Sequence, residues 1–292
     1  MAQYKKQHYL PASYLRYFSE DQSNCRRDSF VWQYDGKEAR RVSVRAQCYR
    51  KYFYSKKNPA DVEKMFQKRE EIYCPFVDKI RAGQEPEIQN FGDLFLCICD
   101  LYIRNAAHKN YTGREGIGAY NDRLVLFFSG LLLGDAEATL SIEDIKQHLQ
   151  TNWRLEIIPA PVGFQYLTSD HPTVFMACNN PPNPKNPLQI ILLALDPTNI
   201  AVAFDRRFVC VERKTATAND VTLFNVGQVH NATKVVYSAM RFTGNALTFC
   251  ETAFLQKKSV CSEVTPKGWK LSLTYLPPQS HFSFIQMNML LL

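Results

Sequence analysis

The sequence predicts an α+β fold with an N-terminal β-hairpin segment, a central helical bundle and a C-terminal mixed or antiparallel sheet. Three observations predict it. Residues 30–46 carry two β-rich runs around an Asp-Gly turn, residues 58–149 carry capped segments with apolar residues at helical spacing, and from Trp153 short β-branched and aromatic runs alternate with Pro and Asn clusters. A chain of 292 residues with 46% hydrophobic content can bury one large core or two modest ones. It reads as one domain, 1–292, with a basic Tyr-rich β segment over 1–57, a helical region over 58–152 and a sheet-rich region over 153–292.

Phe30 to Asp35 and Arg41 to Ala46 flank Asp35-Gly36, a dipeptide suited to the positive φ of a hairpin turn. A helix is expected from Asn58, a good N-cap followed by Pro59 at the first helical position, through Glu63, Phe66 and Glu70. Pro75 should kink or break it, because its ring leaves the Glu71 carbonyl without a donor. Phe91, Leu94, Phe95, Ile98, Leu101 and Tyr102 then mark a core stripe at helical spacing. On the other side of that helix Asp93, Cys97, Asp100, Arg104 and His108 form a polar stripe, in which Asp100 and Arg104, at i and i+4, are expected to make a solvated ion pair. Tyr120 to Leu133 reads as a buried helix, and Ser141 with Asp144 as a variant capping box that opens another, with Ile142, Ile145 and Leu149 facing inward. Strands are expected near 155–158, 164–167, 173–175, 190–195, 200–204 and 208–211, then one helix around 219–234 and a last strand near 269–276.

No apolar run approaches the roughly 20 residues of a membrane span, and Met1 leads straight into polar residues without the apolar stretch of a secretory signal. The nine cysteines are scattered with no Cys-x-x-Cys, which predicts reduced thiols in the cytoplasm and neither a zinc site nor a disulfide framework.

The net charge of +7 is unevenly placed, since residues 1–57 hold thirteen Lys or Arg against five acidic residues and the remainder balances to about −1. Eight of the fifteen tyrosines lie in the same segment, interleaved with Arg40, Arg41, Arg45, Arg50 and Lys51. Cations beside flat rings suit single-stranded nucleic acid, and those five residues are the candidate contacts. The alternatives are an ordinary basic face whose tyrosines pack the core or pair across strands, and a tyrosine-rich protein interface.

His8-Tyr9-Leu10-Pro11-Ala12-Ser13-Tyr14-Leu15-Arg16-Tyr17-Phe18 gives the run His-x-x-Pro-x-x-Tyr-Leu-Arg-x-Phe. This run resembles the opening of a bacterial family known only as a domain of unknown function, number 4238. Later segments are similar to the family in the same order: Trp32-Gln33-Tyr34, Phe53-Tyr54, Glu63 and Glu70, the helix ending in Arg104, Thr168-Ser169-Asp170-His171-Pro172, and Asn225 to Ser238. Two departures are Asn105-Ala106, where the family has Thr-Pro, and Leu193 to Asp196, where it has Pro-Leu. The resemblance makes Pro11, Tyr14 and Asn225 signature positions of structure.

The resemblance and the local chemistry together single out His8, Glu70, Arg104, Ser169 and Asp170. They contain an acid/base, carboxylates able to hold Mg²⁺ or Mn²⁺, and a cation for developing phosphate charge. Asp170, at the end of an apolar strand, reads either as a general base or metal ligand facing a cleft, or as a turn residue accepting backbone amides before Pro172. The set is expected to meet in one cleft as a nuclease-like phosphodiester hydrolase, of the kind a bacterial toxin or anti-phage defence component carries. The alternatives are a non-catalytic nucleotide- or RNA-binding or sensing module and a structural partner subunit. Phosphate-loop, nucleophile-elbow, His-Glu-x-x-His and dinucleotide signatures do not occur in the sequence.

Overall fold

The computed structural model describes residues 6–24, 26, 28–55, 59–86, 91–104, 124–125, 140–176, 190–256, 262–264, 270–272 and 282–287. The helix expected over Tyr120 to Leu133 lies outside these apart from Leu124 and Val125, which are helical, and His108 and the proposed cap Asn58 also lie outside.

The predicted hairpin is present as β2 (Phe30–Tyr34) and β3 (Ala39–Ser43), paired from Phe30 opposite Ser43 to Tyr34 opposite Ala39. Gly36 takes φ +86°, and the Asp35 carboxylate accepts the amides of Lys37 and Glu38 at 3.0 Å, so side chain and backbone close the turn together. The second strand therefore starts two residues earlier than predicted, and Val44–Ala46 turns as a 3-10 helix. Two short strands the sequence did not reveal, β1 (Lys6–His8) and β4 (Tyr49–Lys51), pair antiparallel ahead of and behind this hairpin.

Three long helices follow the short α1 (Ala12–Leu15). The first, α2, spans Pro59–Arg81 as one element through Pro75, where the sequence predicted a kink or break. Tyr73, Phe76 and Val77 are buried on both sides of the proline, and packing at this point outweighs a lost helical hydrogen bond. The next, α3 (Phe91–Ile103), is buried on nearly every side from Leu94 onward. It meets α4 (Ile142–Asn152) closely at Gly92, where a β-carbon would stand 3.1 Å from Lys146 Cβ, and Lys146 Nζ reaches Asp93 at 2.8 Å. Ser141 and Asp144 form the predicted capping box, each side chain accepting the other's amide.

The described strands pair antiparallel throughout, which settles the sheet as antiparallel. One four-stranded sheet runs in the order β5 (Trp153–Pro159), β9 (Asn199–Asp205), β8 (Ile190–Asp196), β7 (Val174–Met176). All seven residues of β8 are buried, as its unbroken apolar run requires of a strand covered on both faces. The other sheet runs β3, β2, β11 (Val236–Ser238), β6 (Thr168–Ser169), so the N-terminal hairpin is completed by strands from the far half of the chain. Helix α5 (Ala218–Asn231) opens on a Thr217–Asp220 capping box. Beside it stands α6 (Gly244–Leu255), which the sequence reading did not anticipate. Three short pieces complete the described chain: β10 (Val209–Val211), β12 (Ser262–Val264) paired with β13 (Lys270–Ser272), and β14 (Ile285–Met287) paired with β10.

One large core joins the N-terminal segment, α2, α3 and the β8–β9 sheet, and a smaller core of Tyr34, Leu167, Val229, Val236, Phe242 and Cys250 lies under α5 and α6. Among the described residues no helix is long and apolar enough to cross a membrane.

Candidate functional site

The N-terminal signature is a set of anchors. Pro11, at φ −62° and ψ 136°, is the N-cap of α1, and its carbonyl accepts the amides of Tyr14 and Leu15. Tyr14, fully buried, makes two bonds to different sheets: its hydroxyl lies 2.7 Å from Thr168 Oγ1 on β6 and donates to the Ala194 carbonyl on β8 at 2.9 Å. Arg16 reaches Tyr17 Oη at 2.8 Å and Asp78 at 3.5 Å, while Tyr17 and Phe18 fill the core. The His8 carbonyl accepts Arg104 Nη2 at 2.9 Å, and its ring Nε2 lies 3.3 Å from the Arg45 carbonyl.

The structure joins the main chain of His8 to Glu70 and Arg104. Glu70 Oε2 accepts the Ser13 hydroxyl at 2.6 Å, and Glu70 Oε1 lies 3.8 Å from Arg104 Nη1. The Arg104 guanidinium sits 3.6 Å over the Phe66 ring, and its carbonyl accepts Tyr54 Oη at 2.9 Å. One residue earlier on α2, Arg69 Nε stands 4.0 Å from Asp100 Oδ2. The polar stripe of α3 is thus not solvated: Cys97, Asp100 and Arg104 are each 2–3% exposed, covered by α2, and Asp100 and Arg104 face Arg69 and Glu70 across the helix interface. Here the predicted exposed i, i+4 pair is corrected to two buried interhelical ones.

Asp100 is the unusual member. Among the described residues neither carboxylate oxygen has a hydrogen-bond partner, and burial pushes its pKa up to about 6 against the opposing pull of Arg69 and Arg104. Ser13, Arg69, Glu70, Tyr73, Asp100 and Arg104 surround a cavity of about 20 Å³, the size of a single water. Chemically the cluster offers an acid that titrates near neutrality, a second carboxylate and two guanidinium groups. Among the described residues no group of three or more His, Cys, Asp and Glu side chains is placed to hold a metal ion.

Ser169 and Asp170 belong to a different cluster. Asp170 is 2% exposed, and its two carboxylate oxygens accept the amides of Thr233 at 2.7 Å and Lys234 at 3.0 Å, while its own amide donates to the Val235 carbonyl at 3.1 Å. Ser169 Oγ accepts the His171 amide at 3.1 Å. These are the bonds of the turn reading. Nearby, Cys48 Sγ lies 3.1 Å from Tyr237 Oη, and burial followed by the charge of Asp170 raises the Cys48 thiol to about 12. Tyr102, stacked on His171 at 4.7 Å, links α3 to this second cluster. Asn225 carries out its signature role by donating to the Gln165 carbonyl at 2.9 Å and accepting the Leu167 amide at 2.8 Å, which fixes the approach to β6.

The candidate nucleic-acid contacts divide in two. Arg41 forks onto Glu20 through Nε at 2.9 and 3.0 Å and lies 3.8 Å over Phe30, and Arg40 pairs with Glu38 and with Asp35 at 3.7 Å. Arg45, Arg50 and Lys51 are exposed and make no ion pair among the described residues. Of the N-terminal tyrosines, Tyr14, Tyr17, Tyr34 and Tyr54 are core residues, and Tyr9, Tyr49 and Tyr52 are half-buried.

Ser13, Arg69, Tyr73 and Asp100 went unselected among the candidate catalytic residues. Ser13 lies inside the signature and Arg69 adjoins Glu70, so both carried a positional signal, whereas the burial of Asp100 follows only from how α2 lies on α3.

With the signature residues accounted for as anchors between elements, a family assignment has a structural basis. The family model described as a protein of unknown function, DUF4238, matches residues 6–241. The chain belongs to this family. No curated protein and no solved structure matches it.

Proposed function

We propose that this DUF4238 member is a nucleic-acid-directed protein that engages single-stranded RNA or DNA through the exposed cations of its N-terminal segment. The observation that carries the reading is three exposed cations, Arg45, Arg50 and Lys51, that make no ion pair among the described residues: Lys51 shares a face of the β1–β4 ribbon with Tyr49, and Arg50, on the other face, lies near the rings of Tyr9 and Phe53. Phosphate contacts make such binding salt-dependent, and three on a single strand correspond to a roughly 20-fold loss of affinity for a fourfold rise in salt. Fluorescence anisotropy with labelled oligo(U) and oligo(dT) across a salt series measures this. An affinity indifferent to salt would sink the reading.

Asp100 favours a second step, in which the bound strand is also cut by nuclease-like phosphodiester hydrolysis in the manner of a toxin or defence effector. Asp100 beside Glu70, Arg69 and Arg104 has the acid/base and cationic groups for it, in a buried cavity with room for one water, so the reading requires α2 and α3 to part before a phosphodiester reaches them. Incubation with RNA and DNA panels, with and without Mg²⁺ or Mn²⁺, should give products that Asp100→Asn and Glu70→Gln abolish while binding persists. Products unchanged in both variants would exclude this cluster from the chemistry.

A further inference from the structure

We infer that the outward face of the β1–β4 ribbon is a nucleotide subsite, in which Lys6 and Lys51 clamp one phosphate and Tyr49, with His8 opposite, stacks the adjoining base. The inference rests on the single-strand reading above and places its contact.

Register defines the face. Lys6 pairs with Lys51, Gln7 with Arg50 and His8 with Tyr49. Side chains alternate along a strand, so Lys6, His8, Tyr49 and Lys51 share one face and Gln7 points to the other. Gln7 is fully buried, its Oε1 accepting the amides of Tyr54 at 2.6 Å and Ser55 at 3.3 Å, which turns the four-residue face outward.

Two like charges then stand directly opposite each other, an arrangement that destabilises a strand pair. Lys6 and Lys51 are both exposed and neither forms an ion pair among the described residues. An anion between them removes the repulsion. Lys6 Nζ rests 4.6 Å over the Tyr49 ring, and the His8 ring lies 5.6 Å from it. A phosphate that draws Lys6 toward Lys51 uncovers this ring for a base, which gives the surface both elements of single-strand recognition.

The backbone around β4 adds a further observation. Cys48 and Tyr52, the residues on either side of the strand, both adopt φ +52°, a left-handed conformation that bulky non-glycine residues avoid. Cys48 is fixed there from the inside, by Tyr237 at its thiol and by Tyr9, whose amide donates to its carbonyl at 2.9 Å. Strain of this kind collects at functional surfaces. Here it brackets the three residues that carry Tyr49 and Lys51.

The test uses the full chain and labelled 12-residue oligo(U), oligo(dT) and an abasic strand of the same length. Lys6→Gln with Lys51→Gln should weaken oligo(U) binding at least tenfold and lower the salt slope by about 1.4, the value for two single-strand phosphate contacts. Tyr49→Ala should weaken oligo(U) about tenfold and leave the abasic strand unchanged, with Tyr49→Phe restoring affinity. Lys51→Gln should also raise the thermal midpoint by relieving the facing charges, which separates lost contact from lost fold. If the wild type binds in a salt-dependent way and the double variant binds equally well, the subsite is wrong while the broader reading stands. If the wild type binds no strand, both fail. Lysine-dependent binding to phosphatidylserine vesicles without strand binding would reassign the face to a membrane surface and overturn the proposal.

Discussion

Asp170 and Asp100 are both buried carboxylates at 2% exposure, and they differ in almost everything else. Asp170 receives two backbone amides that tie β6 to the segment after α5. Asp100 receives no side-chain hydrogen bond among the described residues and faces Arg69 only at 4.0 Å. A carboxylate that accepts two backbone amides works as a fixed joint, whereas a buried one starved of donors is driven toward its neutral form and becomes sensitive to pH. Of the two, the sequence singled out Asp170 for chemistry, and it is Asp100 whose pKa burial raises toward neutrality.

The comparison can be broken most directly at Asp170. Asp170→Ala removes the buried carboxylate that accepts the Thr233 and Lys234 amides and should cost about 4 kcal/mol of stability in chemical denaturation at neutral pH. A loss below about 1 kcal/mol would mean that Asp170 is no joint and would restore it as a candidate for catalysis. Asp100 should respond in the opposite direction. Its folded-state pKa is raised from 3.8 to about 6, so the native state holds the proton more tightly and this group lowers stability as pH climbs through that window. Asp100→Asn should match the wild type near pH 4 and exceed it by roughly 3 kcal/mol at pH 7, the equivalent of a shift of about two pH units. Parallel stability curves for the two proteins across this range would show that Asp100 is not starved and would erase the contrast.

Much of the fold was legible because its signals are local. The Asp35-Gly36 turn, the Ser141–Asp144 capping box and the β8 run each act within a few residues, and each appears where the sequence puts it. What escaped depends on partners far along the chain. β1 and β4 are three-residue strands with no pattern of their own, defined only by pairing with each other across some 40 residues. Pro75 looked disruptive because the packing of Tyr73, Phe76 and Val77 cannot be seen in the helix itself. The same limit governs the candidate site. Glu70 and Arg104 meet, as one cleft for the whole set would require, but the orientation of α2 on α3 decides that Arg104 is buried, that Arg69 and Asp100 join them, and that Asp170 lies in a different cluster.

The hydroxyl of Tyr14 carries a consequence for the order of events during synthesis. Its acceptor at Ala194 is 180 residues downstream and Thr168 is 154 residues downstream. At ribosomal speeds of about 5–20 residues per second, the nascent N-terminal segment waits roughly 10–40 s before both partners of this phenol exist. Until then no docking of α1 can satisfy a group that the finished fold buries completely, so the basic, tyrosine-rich segment is made before the strands it joins and is among the last to be locked in place.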